Sequence, residues 1–210
     1  MAKTPREFYS ETGVKWLSHI KTEEQTGKEL ACLVRLLKKN GEILDLACGY
    51  GRFSIELASL GYKVHGLDIT PVFVEKAQEE ARKRNLDIDF RIGDMTDIPY
   101  GEQFFDSVIC MWNAFSELSA EEEQRKALLE MYRVLKDGGM AIIEMRNHRS
   151  AGLIEENTID GLEAMPSYNH TRGSMKKLLE LTGIKSYSVF IDNFGGRNRL
   201  LVEIRKTQKA

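Results

Sequence analysis

The sequence predicts an α/β fold built on a mostly parallel sheet. Short apolar, β-branched runs alternate along the chain with longer segments whose apolar residues recur at helical spacing. This alternation is typical of βαβ units, in which crossover helices cover both faces of a parallel sheet. A chain of 210 residues can bury a single core, so we expect one domain.

The first half of the chain alternates helices with three predicted strands. Turn signals at Asn40-Gly41 and at Gly61 end the first two helices, and a strand follows each of them. Thr70 and Pro71 mark the start of the next helix, because Thr is a common cap and Pro is favoured at the first helical position. The predicted strands are 43–47, 62–68 and 87–93.

The second half of the chain adds four predicted strands. Ser119 and Glu122 have the spacing of a capping box, which predicts a helix that closes at the glycine pair 138–139. The segment 147–172 has no clear period and is longer than an ordinary connection, so we expect a lid or a binding segment there. The predicted strands are 104–112, 140–145, 185–192 and 199–205, and we expect the last two to pair antiparallel.

The composition excludes several classes of protein. The formal net charge is −2 and both signs are interspersed, so the chain has no cationic tract that could neutralise a nucleic-acid backbone. The sequence shows no apolar run of the roughly 18 residues that span a bilayer, and its first residues lack the apolar core of a leader peptide, so we expect a soluble, cytoplasmic protein without a membrane partner. Cys32, Cys48 and Cys110 show neither CxxC nor Cys/His spacing, so we expect no disulfide and no structural zinc.

The most informative segment joins the first predicted strand to the following helix. The strand contains Asp45, and two glycines, Gly49 and Gly51, lie in the turn after it. In parallel sheets the carboxyl ends of the strands form the ligand crevice, and glycines allow the backbone to approach a ligand closely. A strand-to-helix turn also uses glycines simply to bend, so the other crevice residues must decide between these interpretations.

Three carboxylates are predicted to lie at this edge of the sheet. Asp68 and Asp94 end the second and third predicted strands, as Asp45 does the first. An acid beside the glycine turn repels a pyrophosphate, which a helix N-terminus would otherwise attract, whereas it attracts a ligand with amino and sulfonium cations. Ser54 also stands where the dinucleotide fingerprint has its third glycine. These charges favour S-adenosylmethionine over NAD.

The motifs together resemble those of the class I S-adenosylmethionine-dependent methyltransferases. The resemblance covers about residues 41–146 and rests on five motifs in order: LDLACGYG (44–51), GLDIT (66–70), GDMTDIP (93–99), FFDSVICMWNAF (104–115) and LKDGGMAIIEM (135–145). It implies a doubly wound, Rossmann-like sheet of seven strands in the order 3-2-1-4-5-7-6, with strand 7 antiparallel and helices on both faces. It also implies S-adenosyl-L-methionine as cofactor and S-adenosyl-L-homocysteine as product.

The resemblance assigns five residues to the methionine end of the cofactor. Asp45 is expected to anchor the amino group, while the backbone at Ala47, Gly49 and Gly51 borders the methionine and the ribose. The backbone from Cys110 to Trp112 is expected to complete this end. Ala47 replaces the more common first glycine of the motif, a change that we expect to be harmless.

The resemblance places the nucleoside against the second and third strands. Asp68 is expected to hold the ribose hydroxyls, and Ile69 to pack on the adenine. Asp94 is expected to accept a hydrogen bond from the exocyclic amine, with Met95 donating its backbone N–H to the ring. Replacing Asp68 by Ala is expected to lower cofactor affinity about tenfold or more while folding barely changes.

The acceptor is expected to be a small molecule. Methyl transfer needs mainly an acceptor lone pair held in line and shielded from water, so the sequence assigns no catalytic residue. Asn113, Arg146 and His148 are the acceptor-binding candidates, and Arg146 suits an acceptor that carries a carboxylate. A base is needed for an ammonium or hydroxyl acceptor, and the candidates, none of which stands out, are His148, His170, Tyr168 and Glu117.

The resulting hypothesis is a single methyltransferase domain, 1–210. Its predicted parts are an N-terminal helical cap 1–40, a cofactor-binding core 41–146, a candidate acceptor-binding loop 147–172, and a closing helix and hairpin 173–206. Within the cap, an aromatic stretch that includes Tyr9, Trp16 and His19 fits either a lid over the cofactor or packing at the sheet edge.

Other functions stay open from the sequence alone. The chain has no NPPY-like run after the fourth strand and no acidic cluster there, which disfavours a nucleobase methylase and a metal site respectively. The remaining alternatives are an NAD(P)-linked oxidoreductase and a non-enzymatic module that binds S-adenosylmethionine. The sequence leaves the oligomeric state open.

Overall fold

The computed structural model describes residues 3–20, 22–154, 158–159, 162–163 and 165–207. A seven-stranded sheet forms its centre, and the strands are β1 Glu42–Leu46, β2 Lys63–Asp68, β3 Asp89–Ile92, β4 Phe105–Cys110, β5 Leu135–Arg146, β6 Tyr187–Phe194 and β7 Arg197–Arg205. Their spatial order is β3-β2-β1-β4-β5-β7-β6. The first five strands run parallel, and β7 is antiparallel to both β5 and β6. The predicted order and the reversed seventh strand are therefore confirmed.

Helices cover both faces of this sheet. They are α1 Pro5–Ile20, α2 Glu23–Leu33, α3 Arg52–Ser59, α4 Pro71–Lys83, α5 Glu121–Val134 and α6 Arg172–Thr182. A short 3₁₀ helix, Ala114–Glu117, follows β4. The segment 147–172 contains two small ribbons, in which Gly152–Ile154 pairs with Ser167–Asn169 and Thr158–Ile159 pairs with Leu162–Glu163.

The strands bury both faces because their side chains alternate between two apolar layers. On β1, Leu44 packs in the layer that contains Leu128 of α5 and Leu179 of α6. Its neighbour Ile43 packs in the opposite layer with Leu57 of α3. Each such fully buried aliphatic side chain stabilises the fold by roughly 1.5–3 kcal/mol. This is why the central strands read as continuous apolar runs rather than as alternating ones.

The predicted capping box at Ser119 and Glu122 is wrong. Helix α5 begins at Glu121, and its cap residue, Ala120, makes no side-chain hydrogen bond. Three glutamates in the first turn of α5 place negative charge at its N-terminus, which the helix dipole favours without a polar cap. Thr70 occupies the predicted cap position of α4, but its side chain makes no capping bond either.

A capping box that the sequence analysis missed begins α6. Thr171 accepts a hydrogen bond from the Ser174 backbone N–H, and the Ser174 hydroxyl accepts one from the Thr171 N–H. The usual signal has Glu or Gln at the third helical position. Serine at this position therefore hid the motif.

Neither membrane-spanning nor metal-binding features occur in the described part of the chain. Its helices lack the combination of length and apolar character that crossing a membrane requires. No group of three His, Cys, Asp or Glu side chains within it is arranged to hold a metal ion.

Candidate functional site

The carboxyl ends of the parallel strands open into a cavity of about 430 Å³. Leu46, the last residue of β1, and Ala47 after it line this cavity, as do Leu67 and Asp68 at the end of β2. Among the described residues that line it, the acids are Asp68, Asp94, Glu117 and Glu123, and the base is Lys3. The walls therefore carry an excess of negative charge.

The glycine turn after β1 has two steric functions. Gly49 lines the cavity with a φ of 57°, and Gly51 has a φ of 83°, both in the left-handed region that favours glycine. A Cβ on Gly51 would lie 3.0 Å from the ring of Phe90, so this glycine allows close packing of the turn against β3. Gly51 is therefore a packing residue here and is not a described wall of the cavity.

Ala47 carries backbone strain in the same turn. Its φ is 58°, although it is not a glycine. A left-handed conformation costs a residue with a Cβ roughly 1–2 kcal/mol. Alanine at this position therefore lowers the stability of the turn locally, contrary to the expectation that replacing the glycine is harmless.

Asp68 connects the glycine turn to the end of β2. Its carboxylate accepts a hydrogen bond from the Gly49 N–H at 2.8 Å and one from the Thr70 N–H at 2.9 Å. The residue is only 8% exposed, yet it lines the cavity.

Asp45 lies deeper than the sequence analysis assumed. It is 2% exposed and lines a smaller adjoining cavity of about 20 Å³ together with Ala47 and Gly49. The Ser54 hydroxyl donates to its carboxylate at 2.6 Å. Burial raises the pKa of Asp45 to about 6. Ser54, which replaces a fingerprint glycine, thus serves to hold this acid.

Asp94 and Met95 line the cavity beyond the end of β3, as does Ile69 beyond β2. The Asp94 carboxylate accepts hydrogen bonds from the Thr96 backbone N–H at 2.8 Å and from the Thr96 hydroxyl at 2.9 Å. Six of the nine predicted cofactor residues therefore come together in one wall, namely Ala47, Gly49, Asp68, Ile69, Asp94 and Met95.

Cys110, by contrast, is not a described wall of the cavity. Its side chain is fully buried in the layer under α5, and burial raises the pKa of its thiol far above the usual value. The alternation along β4 points this side chain into the core rather than toward the cavity. The predicted role belongs to the backbone of residues 110–112, of which Met111 and Trp112 line the cavity.

The three acceptor candidates are not described walls of the cavity. The side-chain oxygen of Asn113 accepts a hydrogen bond from the Arg146 backbone N–H at 2.9 Å, so it connects the ends of β4 and β5. Arg146 is exposed, and its positive charge partly offsets the rise in the pKa of Tyr9 that burial causes. His148 is half-buried, and this burial together with the charge of Arg146 lowers its pKa.

The N-terminal helix roofs the cavity. Tyr9 and Leu17 of α1 line it, as do Thr4 and Pro5. The Tyr9 hydroxyl donates to the Glu117 carboxylate at 2.5 Å across the cavity wall. Tyr9 therefore takes the lid position, whereas Trp16 packs edge-on against Phe8 in a small apolar cluster, and His19 is exposed.

Glu117 is the base candidate that the fold brings to the cavity. His170 is buried and its pKa is lowered to about 4 by desolvation, and its ring nitrogens make no hydrogen bond within the described ranges. The ring of Tyr168 packs against that imidazole, with 4.7 Å between the two ring centroids. Neither residue, nor His148, is a described wall of the cavity.

A buried ion pair supports the wall beside β4. The Glu29 carboxylate accepts hydrogen bonds from the Arg52 guanidinium at 2.9 Å and from the Trp112 indole N–H at 2.7 Å. Trp112 lines the cavity with a φ of 60°, and its backbone N–H donates to Glu144 at 2.7 Å. Sequence reasoning missed this network because its members are far apart along the chain.

Comparisons with known proteins agree on one family. Residues 43–139 match the family model described as Methyltransferase domain. The chain is 31% identical over 164 residues to a glycine/sarcosine N-methyltransferase of Aphanothece halophytica, covering 73% of this chain and 62% of that protein. It is 35% identical over 150 residues to a glycine/sarcosine N-methyltransferase of Parasynechococcus marenigrum, covering 68% of this chain and 52% of that protein. It thus spans between half and two thirds of the length of these relatives.

A solved structure shares the fold. It is a Burkholderia thailandensis 1,6-didemethyltoxoflavin-N1-methyltransferase with bound 1,6-didemethyltoxoflavin and S-adenosylhomocysteine. The TM-score is 0.75 at 16% identity, and the match covers 97% of this chain and 87% of that one.

Proposed function

We propose that this chain, whose residues 43–139 match the methyltransferase-domain model, is a class I S-adenosylmethionine-dependent methyltransferase. It would transfer a methyl group from S-adenosylmethionine to the nitrogen of a small amine. The observation that carries the proposal is the acid-lined cavity at the carboxyl edge of the sheet, in which Asp68 is bonded to the glycine turn. Such walls suit a ligand with two cationic groups and oppose a pyrophosphate.

The residues present fit this cofactor. A cavity of about 430 Å³ lies within the usual range for small-molecule sites. Asp68 offers a carboxylate to the ribose hydroxyls, and Asp94 offers one to the adenine amine, with Ile69 and Met95 as apolar walls. When bound, S-adenosylmethionine supplies a methyl group that its positively charged sulfur activates.

The methionine end of the cofactor would lie against the glycine turn. Gly49 and Ala47 expose backbone to the cavity there, and Asp45 places a buried carboxylate in the adjoining one. A carboxylate with a raised pKa binds an ammonium group more strongly once it is ionised, because little water surrounds it. The roof formed by α1 excludes water from the place where the acceptor meets the methyl group.

The chain's own residues favour a small acceptor. Tyr9, Glu117 and Leu118 narrow the cavity on the side of the 3₁₀ helix. Glycine and sarcosine are the first acceptors to test, because the relatives named above are glycine/sarcosine N-methyltransferases.

Two experiments test the proposal. Calorimetry is expected to detect S-adenosylhomocysteine binding and no NADH binding; tight NADH binding without a response to S-adenosylhomocysteine would favour the oxidoreductase alternative. Incubation with S-adenosylmethionine and panels of amines, thiols, alcohols and carboxylates is expected to release S-adenosylhomocysteine with amines. Binding without turnover on any panel would favour the non-enzymatic binding module.

A further inference from the structure

We propose that Glu117 is the residue that selects a cationic nitrogen in the methyl acceptor, and that Tyr9 positions its carboxylate. The inference rests on the proposed function and assigns a charge preference to its acceptor subsite. Glu117 is the last residue of the 3₁₀ helix Ala114–Glu117, directly after β4, and it lines the cavity together with Tyr9.

The Tyr9 to Glu117 bond has the geometry of a charge-assisted contact. The two oxygens are 2.5 Å apart, and bonds from a hydroxyl to an ionised carboxylate are typically about 2.5–2.7 Å long. Burial, and after it the negative charge of Glu117, raise the pKa of Tyr9 well above its usual value. The phenol therefore stays protonated at neutral pH and donates its hydrogen bond to the Glu117 carboxylate.

Tyr9 is itself held by packing. Its ring lies 5.6 Å from that of Phe73 on α4 and 5.2 Å from that of Phe8, which is buried. The hydroxyl is thus fixed by two aromatic neighbours before any ligand enters. The carboxylate that it contacts is correspondingly fixed at the cavity wall.

This pair lies partly outside the shared cofactor-binding domain. Tyr9 belongs to α1, and the family model matches only residues 43–139. Residues that discriminate between acceptors are expected in such segments, because the cofactor end must stay the same while the acceptor varies. The bond therefore joins a side chain of α1 to the 3₁₀ helix that follows β4.

The charge of Glu117 predicts which acceptors enter. A carboxylate attracts a cationic nitrogen and repels a thiolate in a cavity where water is scarce. The bound ammonium must release a proton to Glu117 or to water before its nitrogen lone pair can take the methyl group. Asp68 and Glu123 add to the negative potential, while Lys3 and the nearby Arg146 oppose it. Glu117 is the cavity acid to which Tyr9 of the roof donates a hydrogen bond.

The test compares Glu117→Gln and Tyr9→Phe with the wild-type protein. Glu122→Gln is the matched control, since Glu122 is an exposed acid of the next helix and is not a described wall of the cavity. Each protein is saturated with S-adenosylhomocysteine and titrated with dimethylammonium chloride, and the indole N–H signal of Trp112 is followed by NMR. In parallel, turnover is measured on the amine and thiol panels.

We expect saturable dimethylammonium binding in the wild-type and control proteins and at least tenfold weaker binding in Glu117→Gln. The ratio of amine to thiol turnover is expected to fall at least tenfold in that variant. In Tyr9→Phe the Glu117 carboxylate remains but is held less firmly, so dimethylammonium binding is expected to weaken by less than in Glu117→Gln. In turnover assays of this variant, the acceptor KM is expected to rise by a larger factor than kcat falls. Affinity for S-adenosylhomocysteine is expected to stay unchanged in all variants.

Three results would overturn the inference. The first is that Glu117→Gln binds dimethylammonium as tightly as the wild type does, and the second is that the wild type shows no saturable binding of dimethylammonium. The third is that Glu117→Gln loses affinity for S-adenosylmethionine while its affinity for S-adenosylhomocysteine stays intact. The last result would place the carboxylate against the sulfonium instead of the acceptor. If the wild type fails to bind S-adenosylhomocysteine at all, the proposed function fails first, which separates the two failures.

Discussion

Replacing Asp68 by Ala is expected to destabilise the fold as well as weaken the ligand. The carboxylate accepts hydrogen bonds from two backbone N–H groups, those of Gly49 and Thr70, in a site that is 8% exposed. Each buried donor left without a partner costs about 1–3 kcal/mol, so the two together lower the free energy of unfolding by about 2–6 kcal/mol. This revises the expectation from the sequence that folding would barely change.

Chemical unfolding of the ligand-free protein measures this loss, and calorimetry with S-adenosylhomocysteine measures the affinity of the folded variant. Asp68→Asn is expected to lose about half as much stability, because its amide keeps one acceptor oxygen but turns an NH₂ group toward the other donor. Asp87→Ala is the control, since Asp87 is an exposed loop residue, and it is expected to stay within about 0.5 kcal/mol of wild type. An Asp68→Ala protein as stable as this control, yet tenfold weaker in ligand binding, would refute the reasoning.

Three further predictions concern stability. Glu29→Ala leaves the buried guanidinium of Arg52 without its carboxylate, so urea unfolding is expected to show a loss of about 3–5 kcal/mol; an unchanged midpoint would contradict the role of this ion pair. Burial raises the pKa of Asp45 from 3.8 to about 6, so the folded state binds the proton more tightly than the unfolded state does. The free energy of unfolding is therefore expected to fall by roughly 3 kcal/mol as the pH rises from about 4 through 6. Asp45→Asn is expected to flatten that part of the unfolding profile, and an equally steep profile would count against it. A Cβ on Gly66 would lie 2.3 Å from a phenylalanine ring, so Gly66→Ala is expected to lower stability by about 1–3 kcal/mol in thermal melts, whereas Gly101→Ala, with open space around it, is not.

The strands and the cofactor wall could be predicted because they depend on local properties of the sequence. A strand buried on both faces is mostly apolar, as 43–47 and 104–112 are, and residues at the carboxyl ends of parallel strands meet at one edge. Asp68 and Asp94 reached the cavity for that reason. Helix ends were less predictable, because the first-turn glutamates of α5 replaced a polar cap at Ser119.

The acceptor side could not be predicted in the same way. Asn113 follows β4 and Arg146 ends β5, but the Asn113 side chain accepts a hydrogen bond from the Arg146 backbone N–H, and neither residue is a described wall of the cavity. The contact between Tyr9 and Glu117 joins residues 108 positions apart. No local pattern encodes such a pair, since it depends on where α1 docks.

The hairpin formed by β6 and β7 contributes to the order in which the protein can assemble. The Gln25 side chain donates to the backbone carbonyl of Gly195 in the hairpin turn at 2.9 Å, a contact that spans 170 positions, and the same amide donates to Glu29 at 2.8 Å. During synthesis, α2 leaves the ribosome long before the turn that it contacts, and ribosomes add only about 5–20 residues per second. In a nascent chain, α2 therefore lacks this contact for many seconds, until the hairpin turn has been synthesised.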